Sequence, residues 1–247
     1  MNNTHSAKAV SYDIGRPDYP SEFFDYLYNE IGFTNNDVIA DIGCGTGKIT
    51  RHFLDRGNKV IAIELDGDML SIANKRLADY PNFISYQKPA EATGIESNAV
   101  NHIFCGNAYE WFDRTQVVPE FRRILNSGGK IVLTNLGSGS THSSGEHEEI
   151  INRYRKPIAN RTLNASPPFS PGTFQEKVFV YEIHQTADEF LHGNLSASFS
   201  PSAMDEDYEP YCNALMAFFD KHKTNDKITG VMRLRCVIGS AENLNDT

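Results

Sequence analysis

The run Val38-Ile39-Ala40-Asp41-Ile42-Gly43-Cys44-Gly45-Thr46-Gly47-Lys48 constrains the fold more than any other stretch of this chain. An apolar strand ends in an acid, three glycines follow at alternate positions, and a helical pattern carrying Ile49, Phe53 and Leu54 starts at once. Glycine permits a tight strand-to-helix turn and lets a ligand come close to the backbone. The helix start behind it leaves backbone N–H groups free for an anionic group. Three ligand classes use loops of this kind. A phosphate-binding P-loop needs GxxxxGK followed by Ser or Thr; here Ile49 follows Gly47-Lys48, and Ile42 holds the first glycine's place. A dinucleotide fingerprint needs GxGxxG, and Lys48 stands where its third glycine belongs. What remains is acid-x-Gly-x-Gly-x-Gly.

The rest of the chain supplies the setting. A helix is expected over 21–31, with Phe23, Phe24, Leu27 and Ile31 on one stripe and Gly32 as its stop. Strands are expected at Val38–Ile42, Lys59–Glu64, Phe83–Tyr86, Val100–Cys105 and Lys130–Asn135, with helices at 67–79 and 116–125 between them. Alternation at this spacing means βαβ units and a parallel, doubly wound sheet covered on both faces. After Asn135 the rhythm breaks into a Gly/Ser-rich loop, a helix over Glu146–Lys156, an irregular proline-rich stretch over 157–174 and a strand over Glu176–His184. A capping-box helix follows at Thr186-Ala187-Asp188-Glu189, then a helix over Asp205–Lys221 and a last strand over Val231–Ile238. The expected fold is therefore α/β and Rossmann-like: a seven-stranded sheet of five parallel strands and a C-terminal antiparallel pair. A substrate cap is inserted after the fifth strand, near the sheet's carboxyl ends, where ligands bind. One domain spans 1–247: an N-terminal lid at 1–35, a core at 36–135, the cap and sixth strand at 136–210, and a closing helix and strand at 211–247.

The second strand ends in Glu64-Leu65-Asp66, an acid about 20 residues beyond the loop, where a carboxylate accepts both hydroxyls of an unphosphorylated ribose. Composition excludes other classes. A net charge of -9 over 247 residues argues against nucleic acid, which needs a basic face. No apolar run approaches the ~20 residues of a membrane span, and Met1–Val10 has no apolar signal core. Four scattered cysteines without a CxxC pair point to a reducing cytoplasm rather than to disulfides or zinc. The loose group His142, Glu146, His147 and Glu149 matches no zinc spacing, so no metal is expected.

With these residues in place, the chain resembles the class I S-adenosylmethionine (SAM) dependent methyltransferases over nearly its whole length. The resemblance rests on Tyr12–Pro20, the Asp41–Gly47 loop, Glu64–Leu70, Asn107–Asp113, Arg123–Gly129, Ser198–Pro201 and Val231–Gly239. The last two are similar to one subgroup of small-molecule methyltransferases, the trans-aconitate and ubiquinone-biosynthesis types. The resemblance implies SAM as cofactor, with S-adenosylhomocysteine as its product. It implies that Gly43, Cys44, Gly45 and Gly47 cradle methionine and ribose through their backbone and that Asp41 orders the loop. Glu64 then holds the ribose, Leu65 packs on adenine, Ala90 and Glu91 meet the adenine edge, and Asn107 lies near the methionine part. Tyr12 and Arg16 belong to a segment that closes over the cofactor. Tyr12, Glu110 and Trp111 are the implied acceptor-side residues. Relatives often carry histidine where Glu110 stands; a glutamate there can accept a proton, pair with an amine or repel a carboxylate.

The expected reaction is methyl transfer to a small molecule or peptide-like metabolite, at a carboxylate or hydroxyl oxygen. N- or C-methylation, a non-catalytic SAM-binding module and an NAD-dependent oxidoreductase are the alternatives. Expected partners are the small-molecule or peptide acceptor alone, without nucleic acid or membrane, on a monomer or homodimer.

Overall fold

The computed structural model describes residues 8–138, 145–157 and 167–245. Its sheet has seven strands: β1 (Val38–Ile42), β2 (Lys59–Glu64), β3 (Phe83–Gln87), β4 (Val100–Gly106), β5 (Leu125–Ser138), β6 (Gln175–Gln185) and β7 (Ile228–Gly239). Their order is β3-β2-β1-β4-β5-β7-β6. The first five are parallel, and β5, β7 and β6 alternate in direction, as expected. Residues 39–42 of β1 are buried on both faces, which is why the strand reads as an unbroken apolar run. The order reverses at β1 and β4, so the carboxyl ends of these two strands flank the topological switch point where open α/β sheets bind ligands.

The chain forms two compact units. One lies within Tyr19–Leu136, Arg161–Phe179 and Leu234–Thr247. It contains α2 (Ser21–Tyr26), α3 (Lys48–Asp55), α4 (Gly67–Arg76) and α5 (Arg114–Ile124). Its core joins Ile42, Ile63, Ile103, Phe121, Ile131 and Val237. Each such side chain, fully buried, is worth about 1.5–3 kcal/mol of transfer free energy. Asp66 caps α4 by accepting from the Asp68 and Met69 N–H groups, and Asp113 caps α5 through the Thr115 N–H.

The other unit lies within Met1–Asp18, Gly137–Asn160 and Val180–Arg233. It contains α1 (Ala9–Gly15), α6 (Gly145–Tyr154), α7 (Ala187–Leu195) and α8 (Tyr208–His222). Phe190, Tyr211, Leu215, Phe218 and Phe219 form its core. Helix α1 meets α7 at Gly15, where a Cβ would lie 1.8 Å from the Gly193 nitrogen. Only glycine allows that approach. The Lys8 ammonium, buried at the start of α1, donates to the carbonyls of Ala197 and Ser200 at 2.8 and 2.6 Å.

Several elements differ from expectation. The α1 helix was not expected at all. The helix expected over 21–31 is α-helical only to Tyr26 and continues as a π-helical turn, Leu27–Ile31, which Gly32 ends at φ +93°. Leu125, expected to close α5, opens β5 instead. That strand runs through the expected turn at Ser127–Gly129 as an irregularity between the Val100 and His102 pairings. The Thr186–Glu189 capping box is present, with both hydrogen bonds formed. No helix among the described residues is long and apolar enough to cross a membrane.

Candidate active site

The site begins at the end of β1. The N–H groups of Gly43 and Cys44 donate to the Ile63 carbonyl at 2.8 and 3.1 Å, and the Gly47 N–H donates to the Cys44 carbonyl at 3.0 Å. Gly43, Gly45 and Gly47 all hold left-handed backbone, at φ +76°, +58° and +74°. A Cβ on Gly43 would sit 2.5 Å from the Ala108 Cβ and 3.4 Å from Phe112 Cζ. The turn that follows β4 therefore packs directly on the glycine loop, with Asn107 to Phe112 beside it. Gly47 serves as N-cap of α3.

Two carboxylates serve this loop. Asp41, 2% exposed, accepts from the Thr50 hydroxyl at 2.6 Å, which ties the end of β1 to the first turn of α3. Burial pushes its pKa up to about 7; the Thr50 hydrogen bond opposes the shift and the Glu64 carboxylate adds to it. Glu64 accepts from the Gly45 N–H through one oxygen and from the Asp66 N–H through the other, each at 2.9 Å. Burial raises the Glu64 pKa, while those backbone donors hold it down. The Glu64 carboxylate can accept from hydroxyl donors, and a nearby cation would favour the charged form of both acids. The Cys44 thiol is buried and its pKa raised by that burial, so it is no nucleophile.

The neighbouring positions are occupied as follows. Leu65, just past Glu64, is 51% exposed, unusual for a large apolar side chain. Ala90 is buried, and the Glu91 carboxylate accepts from the Asp113 N–H at 2.8 Å. Asn107 ends β4 in left-handed backbone at φ +54°. Its N–H donates to the Thr134 carbonyl, and its side-chain oxygen accepts from the Leu136 N–H at 2.6 Å. This stitches the carboxyl ends of β4 and β5 together. Glu110 and Trp111 lie in a 3-10 turn, Tyr109–Trp111, and Glu110 accepts from the Asn135 side chain at 3.2 Å. Tyr12 and Arg16 belong to the other unit, where the Arg16 guanidinium lies 5.1 Å from the Tyr12 ring centroid.

Thus Asp41, the three glycines and Glu64 come together, with Asn107 and Glu110 on the turn beside them. Thr50, Ala108, Phe112 and Asn135 were not anticipated. Thr50 had a legible signal, a hydroxyl in the first helical turn behind the acid; the other three are revealed only by contacts between distant parts of the chain. No metal-binding group of three His, Cys, Asp or Glu exists among the described residues. His142 falls outside them, Glu146 pairs with Lys221 and His222, and His147 stacks on Phe218 and lies tilted against Phe190.

Known proteins resemble this chain in the same region and beyond. A family model described as a methyltransferase domain matches residues 40–133. An uncharacterized methyltransferase of Mycobacterium tuberculosis is 30% identical over 168 residues, 68% of this chain, and the chain spans 66% of that relative's length. A malonyl-[acyl-carrier protein] O-methyltransferase of Hamiltonella defensa is 28% identical over 165 residues, covering 63% of this chain and 62% of its own length. A solved type II methyltransferase structure from Anaeromyxobacter dehalogenans shares the fold, with a TM-score of 0.65 at 20% identity over 92% of this chain and 98% of that one.

Proposed function

Since this chain belongs to the class I SAM-dependent methyltransferases, we propose that it methylates an oxygen of a small molecule or peptide-like metabolite. One observation carries the cofactor assignment to residues: a half-buried glutamate at the end of β2 accepts from the N–H of the middle glycine of the loop after β1. The raised carboxylates fit SAM, whose ribose offers two hydroxyl donors and whose net charge is positive. When bound, SAM supplies a methyl group on a cationic sulfur, already activated for transfer.

The chain's own residues would do the rest by placement. The loop of Gly43, Cys44, Gly45 and Gly47 would hold the methionine part and ribose through backbone groups. Glu64 would exchange its hydrogen bonds to Gly45 and Asp66 for the ribose hydroxyls, and Asp41 would keep the loop in shape through Thr50. Leu65 would cover one adenine face, with Ala90 and Glu91 at its edge. Asn107 would meet the methionine part. Tyr12 and Arg16 would close from the N-terminal segment, Arg16 as a charge-assisted partner for the cofactor's carboxylate. Tyr12, Glu110 and Trp111 would face the acceptor. In-line displacement needs little beyond alignment of nucleophile and methyl and exclusion of water, and effective molarities of ~10⁵ M or more reward such alignment.

Oxygen as the nucleophile is supported by the O-methyltransferase among the relatives. We place the protein in the cytoplasm on its four free cysteines, with a small acceptor as its partner and neither nucleic acid nor membrane. The test is transfer of label from methyl-labelled SAM into a protein-free metabolite extract. Incorporation abolished by Glu64→Ala supports the reading; full incorporation by that variant removes Glu64 from the site.

A further inference from the structure

Glu110 is held rather than free to swing. Its carboxylate accepts from the Asn135 Nδ2 at 3.2 Å. Only the amide nitrogen of Asn135 can donate to a carboxylate, so this contact also fixes which way the amide points. The two residues project from the carboxyl ends of neighbouring parallel strands, Glu110 from the turn after β4 and Asn135 from β5. That turn is anchored on both sides. Ala108 and Phe112 press on Gly43 of the glycine loop. Asn107 is bound to Thr134 and Leu136 of β5, on either side of Asn135. A carboxylate is thus met by an amide donor on the rim of the cofactor loop.

Resting on the oxygen-methylation reading, we infer that the acceptor's nucleophile is a hydroxyl rather than a carboxylate, that Glu110 takes its proton, and that Asn135 is the positioning residue that aims Glu110. An anionic acceptor oxygen beside Glu110 would meet like charge at hydrogen-bonding distance. A hydroxyl instead donates its hydrogen to Glu110. As it reacts, an oxygen lone pair forms the bond to the methyl carbon and the carbon–sulfur bond breaks. The electron pair of that bond stays on sulfur as a thioether, and the hydroxyl proton passes to the Glu110 carboxylate and then to water.

The test has two arms. In the first, products made from methyl-labelled SAM and a protein-free metabolite extract are treated with mild alkali. The expected label is stable to alkali and recovered as a methyl ether. Label released as volatile methanol comes from a methyl ester; it overturns the inference and leaves oxygen methylation standing. Label on an amine, retained by a cation exchanger in acid, overturns the oxygen reading itself. The second arm starts from cofactor binding, which needs no acceptor, and then uses the extract as the acceptor. A carboxylate aimed at the transferred methyl favours the sulfonium of SAM over the neutral sulfur of S-adenosylhomocysteine. By titration calorimetry, Glu110→Gln should therefore weaken SAM relative to S-adenosylhomocysteine by roughly three- to tenfold; an unchanged ratio overturns the role given to Glu110. Asn135→Asp places a second carboxylate against Glu110, so the acidic limb of the methyl-transfer rate should move to higher pH. An unmoved limb in a variant of normal thermal stability overturns the role given to Asn135.

Discussion

Gly43→Ala probes the joint between the glycine loop and the turn after β4. At φ +76° an alanine sits in left-handed backbone, which costs about 1–2 kcal/mol. Its Cβ would also lie 2.5 Å from the Ala108 Cβ, where carbon atoms prefer about 3.5–4.0 Å. Relieving roughly 1 Å of overlap in a packed site costs about 1–3 kcal/mol. The single variant should therefore lose about 2–5 kcal/mol in urea unfolding, and its SAM affinity should fall with it. Ala108→Gly removes the opposing methyl. In the double variant the overlap vanishes while the backbone cost remains, so about 1–3 kcal/mol of coupling should appear in the double-mutant cycle. Additive variants would refute the reasoning, because they would mean that the turn does not rest on Gly43. A Gly43→Ala protein with native stability and native SAM affinity would refute it more completely.

Three further outcomes are expected. Asp41, raised to about 7 against an unfolded value near 3.9, binds its proton more tightly folded than unfolded, so stability should decline as pH rises from about 4 to 7 and level off above; Asp41→Asn should flatten that trend in unfolding curves. His147 runs the opposite way: burial lowers its pKa, so stability should fall as pH drops below about 6.5, and His147→Asn should remove that loss. Lys8→Met strips the donor from the part-buried Ala197 and buried Ser200 carbonyls, and should lower stability by about 1–3 kcal/mol by thermal melting without weakening SAM binding to the glycine loop.

What the sequence revealed depended on how local its signals are. The strand, acid and glycine loop at 38–47 are contiguous, and each residue's type states its own conformational need. The parallel sheet followed because strands buried on both faces are uniformly apolar and must be joined by helical crossovers. The capping box at Thr186 is likewise complete within four residues. Helix α1 escaped notice because it docks through Gly15 against Gly193 and buries only Ala9 and Gly15, so it carries no apolar stripe. The Ser127–Gly129 segment reads as a turn, yet strand pairing with β4 absorbs it as an irregularity. The Glu110–Asn135 contact joins residues 25 apart in sequence, across two strands whose adjacency only the assembled sheet establishes. Similarly, the closeness of Ala108 to Gly43 follows from the packing of the turn after β4 and from no pattern of residue types.

The most direct test of the central assignment is calorimetric titration of the purified protein with SAM, S-adenosylhomocysteine and NAD, repeated on Glu64→Ala. Binding of both sulfur nucleosides at about micromolar Kd, no binding of NAD, and loss of the nucleosides in Glu64→Ala are the expected results. Binding of NAD in their place, or SAM affinity unchanged in Glu64→Ala, would contradict the assignment of the glycine loop and the β2 carboxylate as the cofactor site.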